Sequence, residues 1–188
     1  MSKVWLVTGS ASGLGRNIAE AVLASGDRLI ATARDPGRLE DLMKKYGDEV
    51  RTAPLDVADE AAAYVAVQVA IDAFGRLDLV VNNADYGDFA PFEQLSSERF
   101  KAVVDTNFYG VVNVTRAALP IMRKQKSGCI LQISSVTMSG TATSPAYMTR
   151  TCWRPRNSSR LNGSISSTAG PLNFKETAFS AADLTEAG

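Results

Sequence analysis

Residues 4–26 read VWLVTGSASGLGRNIAEAVLASG. Four apolar residues open the stretch, and glycines follow at positions 9, 13 and 15. A segment with helical spacing comes next, and a new apolar run begins at residue 28. Glycine lets a backbone turn tightly and approach an anion closely. The first N–H groups of the following helix, with its dipole, then meet negative charge. A glycine cluster alone is weak evidence, and the bland alternative is a tight turn in a plain strand–helix unit. Here a strand precedes it, a helix follows and another strand comes after, which is the context of a phosphate-binding loop.

Outward from this stretch the pattern repeats. RLIATA (28–33), LDLVVN (77–82) and CILQIS (129–134) are nearly continuous in apolar character, as parallel strands covered on both faces must be. VRTAPLDV (50–57) reads as a weaker strand. Helices are predicted over 13–25, 37–46, 59–74 and 97–124. Ser97 is placed as the cap of the last one, and Pro120 as a kink near its end. Strand–helix alternation of this kind predicts an α/β fold, a doubly wound, Rossmann-like parallel sheet.

The pattern changes after Tyr147. Residues 148–188 hold no run of three apolar residues, and four arginines (150, 154, 156, 160) stand in 148–160 with no acid. The expected organisation is a dinucleotide-binding domain over 1–147. An atypical tail over 148–188 has little regular structure and is no separate domain.

Composition excludes several functions. The chain has 188 residues, with 20 Lys plus Arg balanced by 20 Asp plus Glu and no histidine. Neutral balance gives no electrostatic signature of nucleic-acid or membrane-surface binding. Without histidine there is no His-based triad or His metal site. Cys129 and Cys152 do not form a metal cluster alone and do not read as a disulfide framework. There is no signal-peptide segment and no run of transmembrane length, so a reducing, cytoplasmic setting is expected. The arginines of 150–160 raise a nucleic-acid contact, but they lack interleaved aromatics apart from Trp153 and read as a solvated segment.

The glycine spacing is T-G-x-x-x-G-x-G, from Thr8 and Gly9 to Gly13, Leu14 and Gly15. With LDV at 55–57, NNA at 82–84, DTNFYG at 105–110, ISS at 133–135 and SPAY at 144–147, the chain resembles the short-chain dehydrogenase/reductase family, classical type, over residues 3–147. The resemblance implies that Gly9, Ser12, Gly13, Leu14 and Gly15 hold the cofactor's phosphates. It places Asp56 and Val57 at the adenine ring, with Asn83 and Ala84 in the motif after the fourth strand. Asp85 stands where the family keeps glycine in that motif.

The residue ending the second strand selects the cofactor. An acid there bonds the adenosine 2′-OH, whereas a basic residue accepts a 2′-phosphate. Ala33 carries no acid, and Arg34 follows it. A guanidinium pairs bidentately with phosphate, so NADP(H) is favoured over NAD(H). The other reading makes Asp35 the deciding acid, but Asp35 precedes Pro36 and more simply starts the next helix.

The implied reaction is reversible hydride transfer with a small carbonyl or alcohol substrate. By resemblance Tyr147 moves the oxygen's proton, Ser135 hydrogen-bonds the same oxygen and Asn107 holds a relay water. Ser134 remains an alternative, because the family usually places its serine 13 residues before the tyrosine, and Ser134 has that spacing while Ser135 is 12 away. The bland alternatives are two turn serines and a half-buried aromatic.

The family's motif Y-x-x-x-K is not complete. Thr151 stands four residues after Tyr147, where the family's lysine depresses a phenol pKa that is ordinarily ~10. Arg150 is three residues on, and in a helix it would share the face of Tyr147. A guanidinium, however, does not relay protons. Pro155 would end such a helix within about two turns. A frameshift, an alternative exon or a faulty gene model would each produce the junction. Three readings follow: an NADP(H)-dependent oxidoreductase, impaired by the missing lysine; a nucleotide-binding module without chemistry; and the nucleic-acid contact. Homo-oligomerisation is left open, since family members commonly pair through the helices after the fourth and fifth strands and the second of these is the one that departs.

Overall fold

The computed structural model describes residues 2–88, 90–135, 146–154 and 164–171. In chain order the elements are β1 (Val4–Val7), α1 (Gly13–Ala24), β2 (Arg28–Ala33), a 3₁₀ turn (Pro36–Leu39), α2 (Glu40–Tyr46), β3 (Val50–Pro54), α3 (Glu60–Phe74), β4 (Leu79–Asn82), α4 (Ser97–Val104), a π-helical turn (Asp105–Tyr109), α5 (Gly110–Gln125), β5 (Gly128–Ser135), β6 (Ala146–Arg154) and β7 (Ser164–Pro171).

The sheet order is β3-β2-β1-β4-β5-β6-β7. The first five strands are parallel, as the apolar runs predict. Alternate residues of each strand feed opposite faces. Val4 and Leu6 of β1, with Ile30 and Val80, pack against Ala63, Ala66, Val67 and Ala70 of α3 and Val114 and Ala118 of α5. Trp5 and Val7, with Leu29, Ala31 and Val81, pack against Ile18, Val22 and Leu23 of α1 and Leu42 of α2. Two helical layers therefore cover the parallel sheet, and its strands are apolar on both sides for that reason. Strand order reverses between β1 and β4, which opens a crevice beyond the carboxyl ends of the strands.

Four expectations are corrected. The helix predicted over 97–124 is α4 and α5 joined by the π-helical turn, in which the Gly110 N–H reaches the Asp105 carbonyl. Its cap is Ser96, whose side chain accepts from the Arg99 N–H at 3.4 Å, and not Ser97. The third correction concerns the tail. β6 and β7 continue the sheet as antiparallel strands, where no strand is expected. Continuous apolar runs mark strands covered on both faces. An antiparallel segment at the side of a sheet needs only residues that suit a pleated surface, and Thr149, Thr151 and Trp153 supply them. The rest of the tail lies outside the described residues.

The β5–β6 register sets Ser134 opposite Tyr147 and Ser135 opposite Ala146. It also sets Cys152 across from Cys129, and Cys129 is disulfide-bonded. This corrects the reading of the cysteines as no disulfide framework: opposed residues of an antiparallel pair stand within the Cα separation that a disulfide spans.

Candidate functional site

Thr8 organises the crevice. It is buried at the end of β1, and its Oγ1 accepts from the backbone N–H groups of Asn83 and Ala84, both at 2.9 Å. Asn83 returns a bond from Nδ2 to the Thr8 carbonyl at 3.0 Å. The loop after β4 is thus fastened to the loop after β1. The Ser10 N–H donates to the Thr32 carbonyl at 2.8 Å, which ties the same loop to β2.

The glycines have distinct tasks. Gly15 is buried, and a Cβ there would lie 2.3 Å from the Gly9 carbonyl oxygen and 2.4 Å from Asn83 Nδ2. Its bare backbone therefore lets α1 come close to the glycine loop. Gly13 has φ of +59° with nothing within 4 Å of a built Cβ. It faces open space at the start of α1, where the first helical N–H groups have no intrahelical acceptor. Ser12, the N-cap residue, makes no side-chain cap bond.

A cavity of about 900 Å³ occupies the crevice. Gly9, Ser12, Gly13 and Leu14 line it from the glycine loop. Arg34 borders it after β2, Asp56 and Val57 after β3, and Asn83 and Ala84 after β4. Nine of the ten residues expected to touch a cofactor thus meet at one cavity, and Gly15 sits behind the wall. Asp35 also lines it, but its carboxylate accepts from the Gly37 N–H at 3.0 Å and caps the 3₁₀ turn. A crevice at the switch point, with an anion-compatible loop at the first strand and no Cβ to fill it, fits a dinucleotide.

Asn107 lies in the π-helical turn. Its Oδ1 accepts from the Tyr86 N–H and its Nδ2 donates to the Tyr86 carbonyl, both at 2.9 Å. Its neighbours Asp105 and Thr106 line the cavity. The side chains of Ser135 and Tyr147 lie outside the described residues. Their backbones stand at the carboxyl end of β5 and the start of β6. The helix that would bring Arg150 within one turn of Tyr147 is not formed, because both residues lie in the strand β6.

Sequence reasoning missed two supports. Asn113 is buried, and its Nδ2 donates to the carbonyls of Val57 at 3.0 Å and Ala58 at 3.3 Å. Gly110 makes room for Val57, whose Cγ2 would be 2.5 Å from a Cβ there. The available signal is Asn113 itself, a polar residue on the buried stripe with Gly110, Val114, Ala117 and Ala118.

Among the described residues, no helix is long and apolar enough to cross a membrane. A sequence profile described as short chain dehydrogenase matches residues 3–149. Oxidoreductase BOA17 of Botryotinia fuckeliana is 48% identical over 137 residues, covering 72% of this chain and 50% of that protein. The acetoacetyl-CoA reductase of an Acinetobacter species is 38% identical over 139 residues, with 71% and 56% covered. The crystal structure of a short-chain dehydrogenase from Streptomyces avermitilis superposes with a TM-score of 0.70 at 38% identity, covering 74% of this chain and 53% of that one. A 3-ketoacyl-(acyl-carrier-protein) reductase from Brucella melitensis, complexed with NADH, gives a TM-score of 0.63 at 31% identity, with 66% and 52% covered. The chain spans about half the length of the relatives it matches. The chain belongs to the short-chain dehydrogenase family of oxidoreductases.

Proposed function

We propose that the chain binds NADP(H) in the crevice and derives from an oxidoreductase acting on a small carbonyl or alcohol. The observation that carries this reading is the cavity at the β1/β4 switch point, where the glycine loop, Arg34, Asp56 and Asn83 converge. The N–H groups at the start of α1 and the Ser12 hydroxyl suit a pyrophosphate. Arg34 is exposed beside the cavity, and Asp35 is turned into its own helix cap, which favours a 2′-phosphate over a free 2′-OH. When bound, the nicotinamide supplies or accepts hydride.

The proton side of the reaction falls to the chain. Tyr147 is proposed to move the proton at the substrate oxygen, with Ser135 or Ser134 holding that oxygen and Asn107 supporting a water. A phenol near ~10 is ionised in about one part in a thousand at neutral pH. The family's lysine would correct this, and Thr151 stands in its place. In β6, residues four apart are about 13 Å apart along the strand, against about 6 Å along a helix. That spacing favours a second reading, a module that binds nucleotide and does little chemistry.

One experiment addresses both. The purified chain is melted with and without saturating NADPH or NADH, and then assayed with carbonyl substrates. A ligand that binds only the folded state raises the Tm. A cooperative melt raised more by NADPH, with turnover, supports the catalytic reading. The same shift without turnover supports the binding module. A melt that neither nucleotide moves overturns both.

A further inference from the structure

We propose that Asp85 makes the crevice discriminate between the two redox forms of the nicotinamide, favouring the oxidised, cationic ring over the reduced, neutral one. This rests on the reading that the crevice binds a nicotinamide dinucleotide, and it adds a specificity-determining residue to that reading.

Among the described residues, four aspartates line the cavity: Asp35, Asp56, Asp85 and Asp105. The others are engaged. Asp35 accepts from the Gly37 N–H at 3.0 Å, and Asp56 accepts from the Ala58 N–H, also at 3.0 Å. Asp105 is held by the ammonium of Lys101. Asp85 is exposed and has no hydrogen bond or ion pair among the described residues. A free carboxylate in a crevice suited to phosphates repels every anion there, and only positive charge gains from it.

The carboxylate is also held in place. The Ala84 N–H before it is bonded to Thr8 Oγ1 at 2.9 Å. The Tyr86 N–H and carbonyl after it are bonded to the Asn107 amide, both at 2.9 Å. Asp85 thus carries a short side chain on main chain fastened at both sides.

Its place in the sheet says which part of the dinucleotide it meets. β2 and β4 flank β1. A pyrophosphate at the glycine loop after β1 sends its two nucleosides to opposite sides of the switch point. Arg34 and Asp56 follow β2 and β3, which is the adenosine side in the reading above. The nicotinamide then falls on the β4 side with Asp85, beside β5, whose end carries Ser134 and Ser135. The oxidised and reduced forms share every phosphate and differ by one positive charge on that ring. By linkage, a site that favours the oxidised form also favours hydride donation from the reduced one.

The test is calorimetric titration of the full chain with NADP⁺ and NADPH, for wild type, Asp85→Asn and Asp85→Glu. Asp85→Asn keeps the shape and removes the charge. It is expected to lower the ratio of the NADPH Kd to the NADP⁺ Kd about fivefold, the effect of one charge pair in a largely aqueous setting. Asp85→Glu should keep most of the wild-type ratio. Added salt should move the wild-type ratio toward that of Asp85→Asn. Melts of all three proteins establish that each is folded. Three results overturn the proposal. If Asp85→Asn, folded, changes neither affinity, the carboxylate does not act on the ring and the dinucleotide reading stands. If it changes both affinities by the same factor, Asp85 holds the loop or a ribose and does not sense the ring's charge. If wild type binds neither NADP⁺ and NADPH nor NAD⁺ and NADH, the dinucleotide reading fails, and this assignment with it.

Discussion

Asn107 and Tyr86 hold each other by two reciprocal hydrogen bonds of 2.9 Å, side-chain amide to main-chain N–H and carbonyl. One residue sits in a π-helical turn and the other in the loop after β4. A π-helical turn places one additional residue within a helical turn and is frequent at functional sites. Here it presents an amide where two main-chain groups of a neighbouring loop await it. Asn107→Ala should free that loop. The expected result is faster hydrogen exchange at the Tyr86 amide by roughly fivefold, for a bond worth about 1 kcal/mol. Asn107→Asp keeps the acceptor and loses the donor, so it should retain most of the protection at that amide.

Thr8 accepts two main-chain N–H groups with one hydroxyl oxygen. Thr8→Val keeps the shape and removes the acceptor. Unsatisfied buried donors cost about 1–3 kcal/mol. A loss of about 2 kcal/mol lowers the Tm of a domain this size by roughly 4–8 °C. Thr8→Ser should restore most of it, and calorimetric melts of the three proteins check the order.

Gly13 and Gly15 should respond oppositely to alanine. At Gly15 the methyl meets the Gly9 carbonyl oxygen at 2.3 Å, and main chain cannot move aside cheaply. Gly15→Ala is therefore expected to lower the Tm sharply and to abolish nucleotide binding. At Gly13 the methyl meets nothing, and only the positive φ is penalised, by roughly 1–2 kcal/mol. Gly13→Ala should fold, with weaker binding because the methyl enters the crevice. Melts paired with titrations of NADPH separate the two cases.

The Arg16 guanidinium holds the Asp41 carboxyl below its usual pKa. A group whose folded pKa is depressed stabilises the fold above its unfolded pKa, about 4, and that stability is lost as pH falls through the folded value. Asp41 is exposed, so the contribution is small. Asp41→Asn should be nearly neutral at pH 7 and should flatten the acid side of the stability profile. Urea midpoints at about pH 7 and about pH 4 would show the difference narrowing with acid.

The parallel core was legible because burial on both faces writes itself as unbroken apolar runs, as in VWLV and LDLVVN. The glycine loop was legible because a close approach between backbones allows one residue type, and the Gly15 contact shows why. The π-helical turn was not. A single extra residue at Asp105–Tyr109 hardly disturbs a 3.6-residue period. Asn113 was hidden for a related reason: a lone amide on an apolar stripe reads as an interruption until the carbonyls of Val57 and Ala58 are seen above it. β6 and β7 escaped because the rule applied to them belongs to strands with two covered faces.

β6 runs backward beside β5. A parallel neighbour would need a crossover of a dozen or more residues and would deliver its first residue to the far end of the sheet. The reversal instead returns the chain to the edge it has just left, so Ala146 and Tyr147 begin β6 where Ser134 and Ser135 end β5. Which serine stands opposite Tyr147 then depends on ladder alignment alone. Ser134 does in this alignment, and sliding β6 by one residue exchanges it for Ser135. The pairing is set by the hand-over of main-chain hydrogen bonds between two strands.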